Sequence, residues 1–256
     1  MSWDPMSVQA KLTKRERRRL RREGVIDLHP ANKQKQSFKL KSIQPITSNQ
    51  EVVFEEWNDG QNLLLHGVAG TGKTFLGFYL GLTEVFDQDS PYKSVTIVRS
   101  AVPTRDMGFL PGNLKEKSRA YELPYYAIAT ELYGRGDAYE ILKNRNDVEF
   151  ITTSHVRGVT LNNTVVVVDE IQNLTFHELD SIITRCGKNC KIILCGDFRQ
   201  NDLADQGEHS GIKQFMNIIK KMSMFSFVEF NNDDIVRSKL VKEYIIIKDK
   251  TNGSRI

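Results

Sequence analysis

The stretch Asn62-Leu63-Leu64-Leu65-His66-Gly67-Val68-Ala69-Gly70-Thr71-Gly72-Lys73-Thr74-Phe75-Leu76 decides the fold. An apolar run of strand length, Asn62–His66, leads straight into Gly67, Val68, Ala69, Gly70, Thr71, Gly72, Lys73 and Thr74. These eight fit G-x-x-x-x-G-K-[ST], and a helical apolar run follows at once. Glycines let the backbone curl until several N–H groups face one point, where phosphate oxygens can sit. The start of the following helix adds partial positive charge. Lys73 would place an ammonium between the β- and γ-phosphates, and the Thr74 hydroxyl would join a Mg²⁺ shell. A Gly-rich turn without function is the bland alternative, and strand-before, helix-after context weighs against it.

Val165-Val166-Val167-Val168-Asp169-Glu170 is a second apolar strand ending in two acids. Two carboxylates at a buried strand end are costly unless a cation uses them. Asp169 would hold Mg²⁺ through water, and Glu170 would polarise an attacking water. Cys195-Gly196-Asp197-Phe198-Arg199-Gln200 ends another strand, so Gln200 could sense the γ-phosphate or orient the water. Arg237 is a candidate arginine finger, although a lone arginine is more often a solvated charge.

Five runs of strand length stand out: 62–66, 94–98, 164–168, 191–195 and 225–230. Most are nearly continuous in apolar residues, which indicates strands covered on both faces. Helical stretches are expected at about 73–86, 113–133, 175–186, 209–222 and 236–246. Alternating strand and helix imply an α/β fold with a doubly wound, mainly parallel sheet. Gln200 must lie beside the phosphate loop to sense it. The expected order is therefore 225–230, 62–66, 191–195, 164–168, 94–98. Residues 99–163 are long for one crossover and read as a helix plus an insertion, a usual place for ligand contacts.

The chain has 256 residues, 39% apolar and 27% charged, with a net charge of +4. Residues 1–50 hold 12 Lys/Arg against four acids, so the charge divides into a +8 arm and a −4 body. Residues 11–23, KLTKRERRRLRRE, read as a helix that forms on a polyanion. The expected division is a basic arm and linker, 1–46, and a catalytic domain, 47–256. No run approaches the roughly 18 apolar residues of a membrane span. Three clustered cysteines, Cys186, Cys190 and Cys195, make a poor disulfide framework, so a reduced cytoplasmic setting is expected. Cys186 and Cys190 lack the second pair that a zinc site would want.

Together these words resemble the PhoH family of P-loop ATPases, which are related to the motor half of superfamily 1 helicases. The matching segments are GVAGTGKT (67–74), VRSAVPTRDMGFLPG (98–112), HVRGVTLNNTVVVVDEIQNLT (155–175), CGDFRQNDL (195–203) and DIVRSKLV (234–241). Pro45–Gln50 is similar to the family's short adenine-recognition element. The resemblance implies a RecA-like fold and hydrolysis of ATP with Mg²⁺. It implies Gln50 at adenine, Lys73 and Thr74 at phosphate and metal, Asp169 and Glu170 at metal and catalysis, Gln200 as sensor and Arg237 at phosphoryl charge. RNA or DNA is the implied partner, through residues 11–41 and loops near 99–160, with a homo-oligomer, even a ring, as the working form. With one motor domain in the chain, the preferred placement of Arg237 is across a subunit boundary, with its own chain's site as the alternative. Two rival readings remain: a nucleic-acid-binding module that uses ATP only as a switch, and a small-molecule nucleotide kinase.

Overall fold

Thr164–Val168 runs through the middle of the sheet, and all five of its residues are buried. Val166 and Val168 face one side, in a cluster with Val98, Ile192, Leu194, Leu179 and Phe215. Val165 and Val167 face the other side, under the helix that follows the phosphate loop. A strand walled on both faces has no use for alternating polarity, which is why its sequence reads TVVVV.

The computed structural model describes residues 38–100, 114–197 and 209–253. Leu40–Ile256 form one compact unit; the other, Met1–Lys39, lies almost wholly outside the described residues. The strands are β1 (Asn62–Gly67), β2 (Ser94–Arg99), β3 (Val148–Thr152), β4 (Thr164–Val168), β5 (Cys190–Gly196) and β6 (Phe225–Phe230). Their order is β3-β2-β4-β5-β1-β6, and every neighbouring pair is parallel. Five strands stand in the order expected from sequence. The sixth, β3, adds an outer edge beside β2 where only an insertion was expected. Val-Glu-Phe-Ile-Thr is half exposed at that edge and so lacks a continuous apolar run.

The helices are α1 (Ser48–Asn58), α2 (Lys73–Phe86), α3 (Leu114–Tyr133), α4 (Ala138–Asn144), α5 (Thr153–Val156), α6 (Phe176–Arg185), α7 (His209–Ile219) and α8 (Lys239–Gly253). Helix α1 is not among the helical stretches expected from sequence; it buries Gln50, Val53 and Trp57 on one face. Thr47 caps it by accepting the Gln50 N–H at 3.3 Å. Helix α2 comes close to the sheet because Gly77 and Gly81 face it. A Cβ on Gly81 would sit 3.0 Å from Val95 Cγ2, and one on Gly77 would sit 3.3 Å from Cys195 Sγ. No helix among the described residues is long and apolar enough to cross a membrane. Because all six strands are parallel, their carboxyl ends share one edge. Gly67, Arg99, Asp169 and Asp197 gather there.

Candidate active site

The loop Val68–Gly72 leaves the end of β1 and turns into the N-terminus of α2. Gly67 starts that turn at φ +116°, and a Cβ there would lie 2.1 Å from the Phe230 carbonyl oxygen of β6. Only glycine fits between the two strands. Lys73 Nζ donates to the carbonyls of Gly67 and Val68, each at 2.8 Å. The ammonium thus lies across the mouth of its own loop. Burial pulls its pKa down, while Asp197, Cys195 and the Asp169–Glu170 pair favour the charged form.

The two sequence motifs meet at one hydrogen bond. Thr74 Oγ1, in the first turn of α2, donates to Asp169 Oδ1 at 2.7 Å. Asp169 follows β4 directly and is 3% exposed. Its other oxygen accepts the Tyr125 hydroxyl of α3 at 2.8 Å. Arg99, at the end of β2, reaches within 3.9 Å of both Asp169 Oδ2 and Glu170 Oε1. That distance neutralises charge without making a hydrogen bond.

Glu170 sits in the left-handed region, φ 55° and ψ 47°, a strained setting for a non-glycine residue. Burial raises its carboxyl above the usual range, and the Asp169 charge adds to this; Arg99, Gln172 and Lys73 pull it back. Gln172 holds it in place. Its amide nitrogen donates to Glu170 Oε2, and its amide oxygen accepts the Asp197 N–H at 3.0 Å. The turn after β4 is thereby tied to the end of β5.

Gln50, 4% exposed, also touches the loop. Its Oε1 accepts the Ile46 N–H at 2.8 Å, and its Nε2 donates to the Thr71 carbonyl at 3.2 Å. The segment carrying Arg237 closes the same side. Val236 N–H donates to the Gly70 carbonyl at 3.1 Å. A Cβ on Gly70 would lie 3.0 Å from Arg237 Cγ. Asp234 anchors the segment by accepting Asn49 Nδ2 at 2.7 Å and the Asn231 N–H at 2.9 Å. Burial works against that carboxylate, yet hydrogen bonds from Asn231, Asn49 and Thr47 and the charge of Lys242 hold its pKa below the usual range.

Gln50, the loop 67–74, Asp169, Glu170 and Arg237 therefore converge on the carboxyl edge of β1, β4 and β5. Gln200, the arm through residue 37 and the segments 101–113 and 198–208 lie outside the described residues. Sequence reasoning gave no role to Tyr125, Gln172 or Asp197. Gln172 stands two residues past Glu170 in a quoted motif. Tyr125 had no local signal, because its partner is 44 residues away.

A family model described as PhoH-like protein matches residues 42–248. The chain belongs to the PhoH-like protein family. It is 35% identical over 187 residues to the PhoH-like protein of Bacillus subtilis, covering 73% of this chain and 57% of that one. It is 31% identical over 182 residues to Protein PhoH of Escherichia coli, covering 70% and 51%. This PhoH-like chain thus spans just over half the length of these curated relatives. Among solved structures, the large terminase of a thermophilic bacteriophage is similar at 15% identity and TM-score 0.46, covering 78% of this chain and 48% of that one. The UvsW helicase of bacteriophage T4 is similar at 17% identity and TM-score 0.42, covering 76% and 64%.

Proposed function

We propose that this PhoH-like chain is a Mg²⁺-dependent ATPase whose turnover is coupled to RNA or DNA. The observation that carries the reading is the Thr74–Asp169 hydrogen bond at 2.7 Å, which joins the phosphate loop to the acidic strand end. The donor set there suits Mg²⁺. A hydroxyl and carboxylates are hard oxygen donors, and two acids crowd a buried strand end with Arg99 held back at 3.9 Å. Thr74 and Asp169 would hold the ion; when bound, it neutralises charge developing on the phosphates.

The chain's own groups supply the rest. Backbone N–H groups of 68–73 bind the phosphate oxygens. Lys73 leaves the Gly67 and Val68 carbonyls for the β- and γ-phosphates. Glu170 accepts a proton from water as the water oxygen bonds to the γ-phosphorus. The bond from that phosphorus to the β-bridging oxygen breaks, and the electron pair leaves with ADP. Arg237 balances charge on the transferring group. Its place against Gly70 favours action within its own chain over the subunit-boundary placement preferred from sequence. Gln50 lies close enough to the loop to sit at the adenine side.

Nucleic-acid coupling is supported by the +8 arm in residues 1–50, and its setting would be a reducing cytoplasm. Phosphate release, measured with and without RNA and DNA oligomers, tests the reading. Stimulated release supports it. Nucleotide binding with no release under any condition supports the switch, and transfer to a small acceptor supports the kinase.

A further inference from the structure

Tyr125 is a fully buried polar side chain that the chemistry above leaves unused. It stands on α3, directly after Pro124, in a segment separated by the whole of β3 and its flanks from β4. Its relative exposure is 0%. Its ring is packed between Phe78 of α2 and Phe150 of β3, each with its centroid 6.0 Å away, and it stacks on Tyr139 of α4 at 6.5 Å. Four elements therefore fix the ring. The hydroxyl they aim donates to Asp169 Oδ2 at 2.8 Å.

A core that needed only bulk at this position would use phenylalanine, since a buried hydroxyl is costly unless it is bonded. The bond Tyr125 makes goes to the carboxylate that Thr74 already engages through Oδ1. Two donors from two helices, one per oxygen, set the plane of that carboxylate. They also keep Arg99 away. With Oδ2 occupied by the phenol, the guanidinium stops at 3.9 Å. Without the phenol, Oδ2 would be a buried acceptor beside a cation on a long side chain, and Arg99 could close to hydrogen-bond distance. A guanidinium so engaged competes with any divalent cation for the same oxygen.

We propose that Tyr125 is a positioning residue for the metal carboxylate, holding Asp169 in a plane open to Mg²⁺ and withholding it from Arg99. This rests on the ATPase reading, and it makes α3 part of the nucleotide site although α3 is remote from the phosphate loop in sequence.

The test is Tyr125→Phe, which removes one oxygen and leaves the ring. Binding of a fluorescent ADP analogue is followed as Mg²⁺ is titrated, on the full chain. The expected result is a rise of about tenfold in the Mg²⁺ needed for half-saturation, the low end for removing a partner of a ligating group. Analogue binding in excess EDTA stays unchanged, and saturating Mg²⁺ restores turnover to within about threefold of the native rate. An unchanged Mg²⁺ midpoint, with or without a lower melting temperature, overturns the proposal and leaves the ATPase reading standing. A native chain whose analogue binding ignores Mg²⁺ overturns both. Should Tyr125→Phe fail to fold, 3-fluorotyrosine placed at 125 keeps the hydroxyl. Its fluorine resonance is expected to shift on adding Mg²⁺ to the nucleotide-bound chain, and a resonance that stays put overturns the proposal.

Discussion

At the residue scale, the proposed roles of Glu170 and Lys73 are separable parts of one reaction. Glu170→Gln keeps the side chain's size and its contact with Gln172, while removing the proton acceptor. We expect nucleotide affinity within about twofold of native and turnover lower by about 10²–10⁴, the range for removal of a general base. A filter-binding assay beside a phosphate-release assay reads both, and native turnover in the variant would end the assignment. Lys73→Ala should act on binding instead. A charge-assisted contact contributes about 1.5–3 kcal/mol, so affinity should fall roughly 10- to 150-fold. Both residues were singled out in sequence, because each stands in a contiguous motif. The clamp on Glu170 was not. Gln172 works by bridging Glu170 to the Asp197 N–H of the next strand over, and no spacing rule encodes a partner 25 residues away.

At the element scale, one junction seats the loop after β1 and another ties α1 to the sheet. The first is the β1–β6 pair, in which Gly67 faces Phe230. Gly67→Ala would drive a methyl group to 2.1 Å from the Phe230 carbonyl at a backbone angle that alanine resists. We expect a loss of at least about 3 kcal/mol in urea unfolding, because backbone rather than a flexible side chain must yield. The second junction fastens α1 to the sheet. Lys191 of β5 donates to the Trp57 carbonyl at 2.7 Å, with its ammonium 3.5 Å from the centre of the Trp57 ring and 3.9 Å from Glu84. Burial lowers this lysine's pKa from 10.5 to about 8, against the pull of Glu84. The unfolded chain then holds its proton more tightly than the folded one. The penalty is present in full below pH 8 and fades as pH rises toward 10.5. Native stability should gain about 1 kcal/mol from this group between about pH 7.5 and 9.5, after discounting for solvent screening. Lys191→Met should abolish that gain, as urea midpoints at the two pH values would read. A variant that keeps the same pH slope as the native chain would mean the lysine is not its source.

At the scale of the whole molecule, the placement of Arg237 bears on assembly. Asp234 pins its segment to α1, and Val236 pins it to the phosphate loop of the same chain. We expect Arg237→Ala subunits mixed with Lys73→Ala subunits to stay as inactive as either alone, even where differently tagged copies purify together. Regained hydrolysis would move the arginine to a neighbour's site. The basic arm belongs to this scale too. Deleting residues 1–24 should weaken nucleic-acid binding and flatten its dependence on salt, by roughly 0.7–0.9 in log–log slope for each phosphate no longer engaged. Basal hydrolysis should change little. An unaltered salt slope would assign the arm to another partner.

The parallel α/β class, the order of five strands and the meeting of the glycine-rich loop with an acidic strand end were legible in the sequence. The class follows from local pattern, because strands covered on both faces read as unbroken apolar runs; the order followed from placing Gln200 beside the glycine-rich loop. Three features arise only from packing. Edge strand β3 is half exposed and carries too weak a pattern to be read. Helix α1 buries only Val53 and Trp57 of its apolar residues, a stripe too short to read, and its cap and Lys191 complete its hold. Asp169 receives the Tyr125 hydroxyl only because four packed elements aim a ring at it. Local pattern records what each segment must bury. Which distant groups then come within hydrogen-bond reach is settled by how the layers pack.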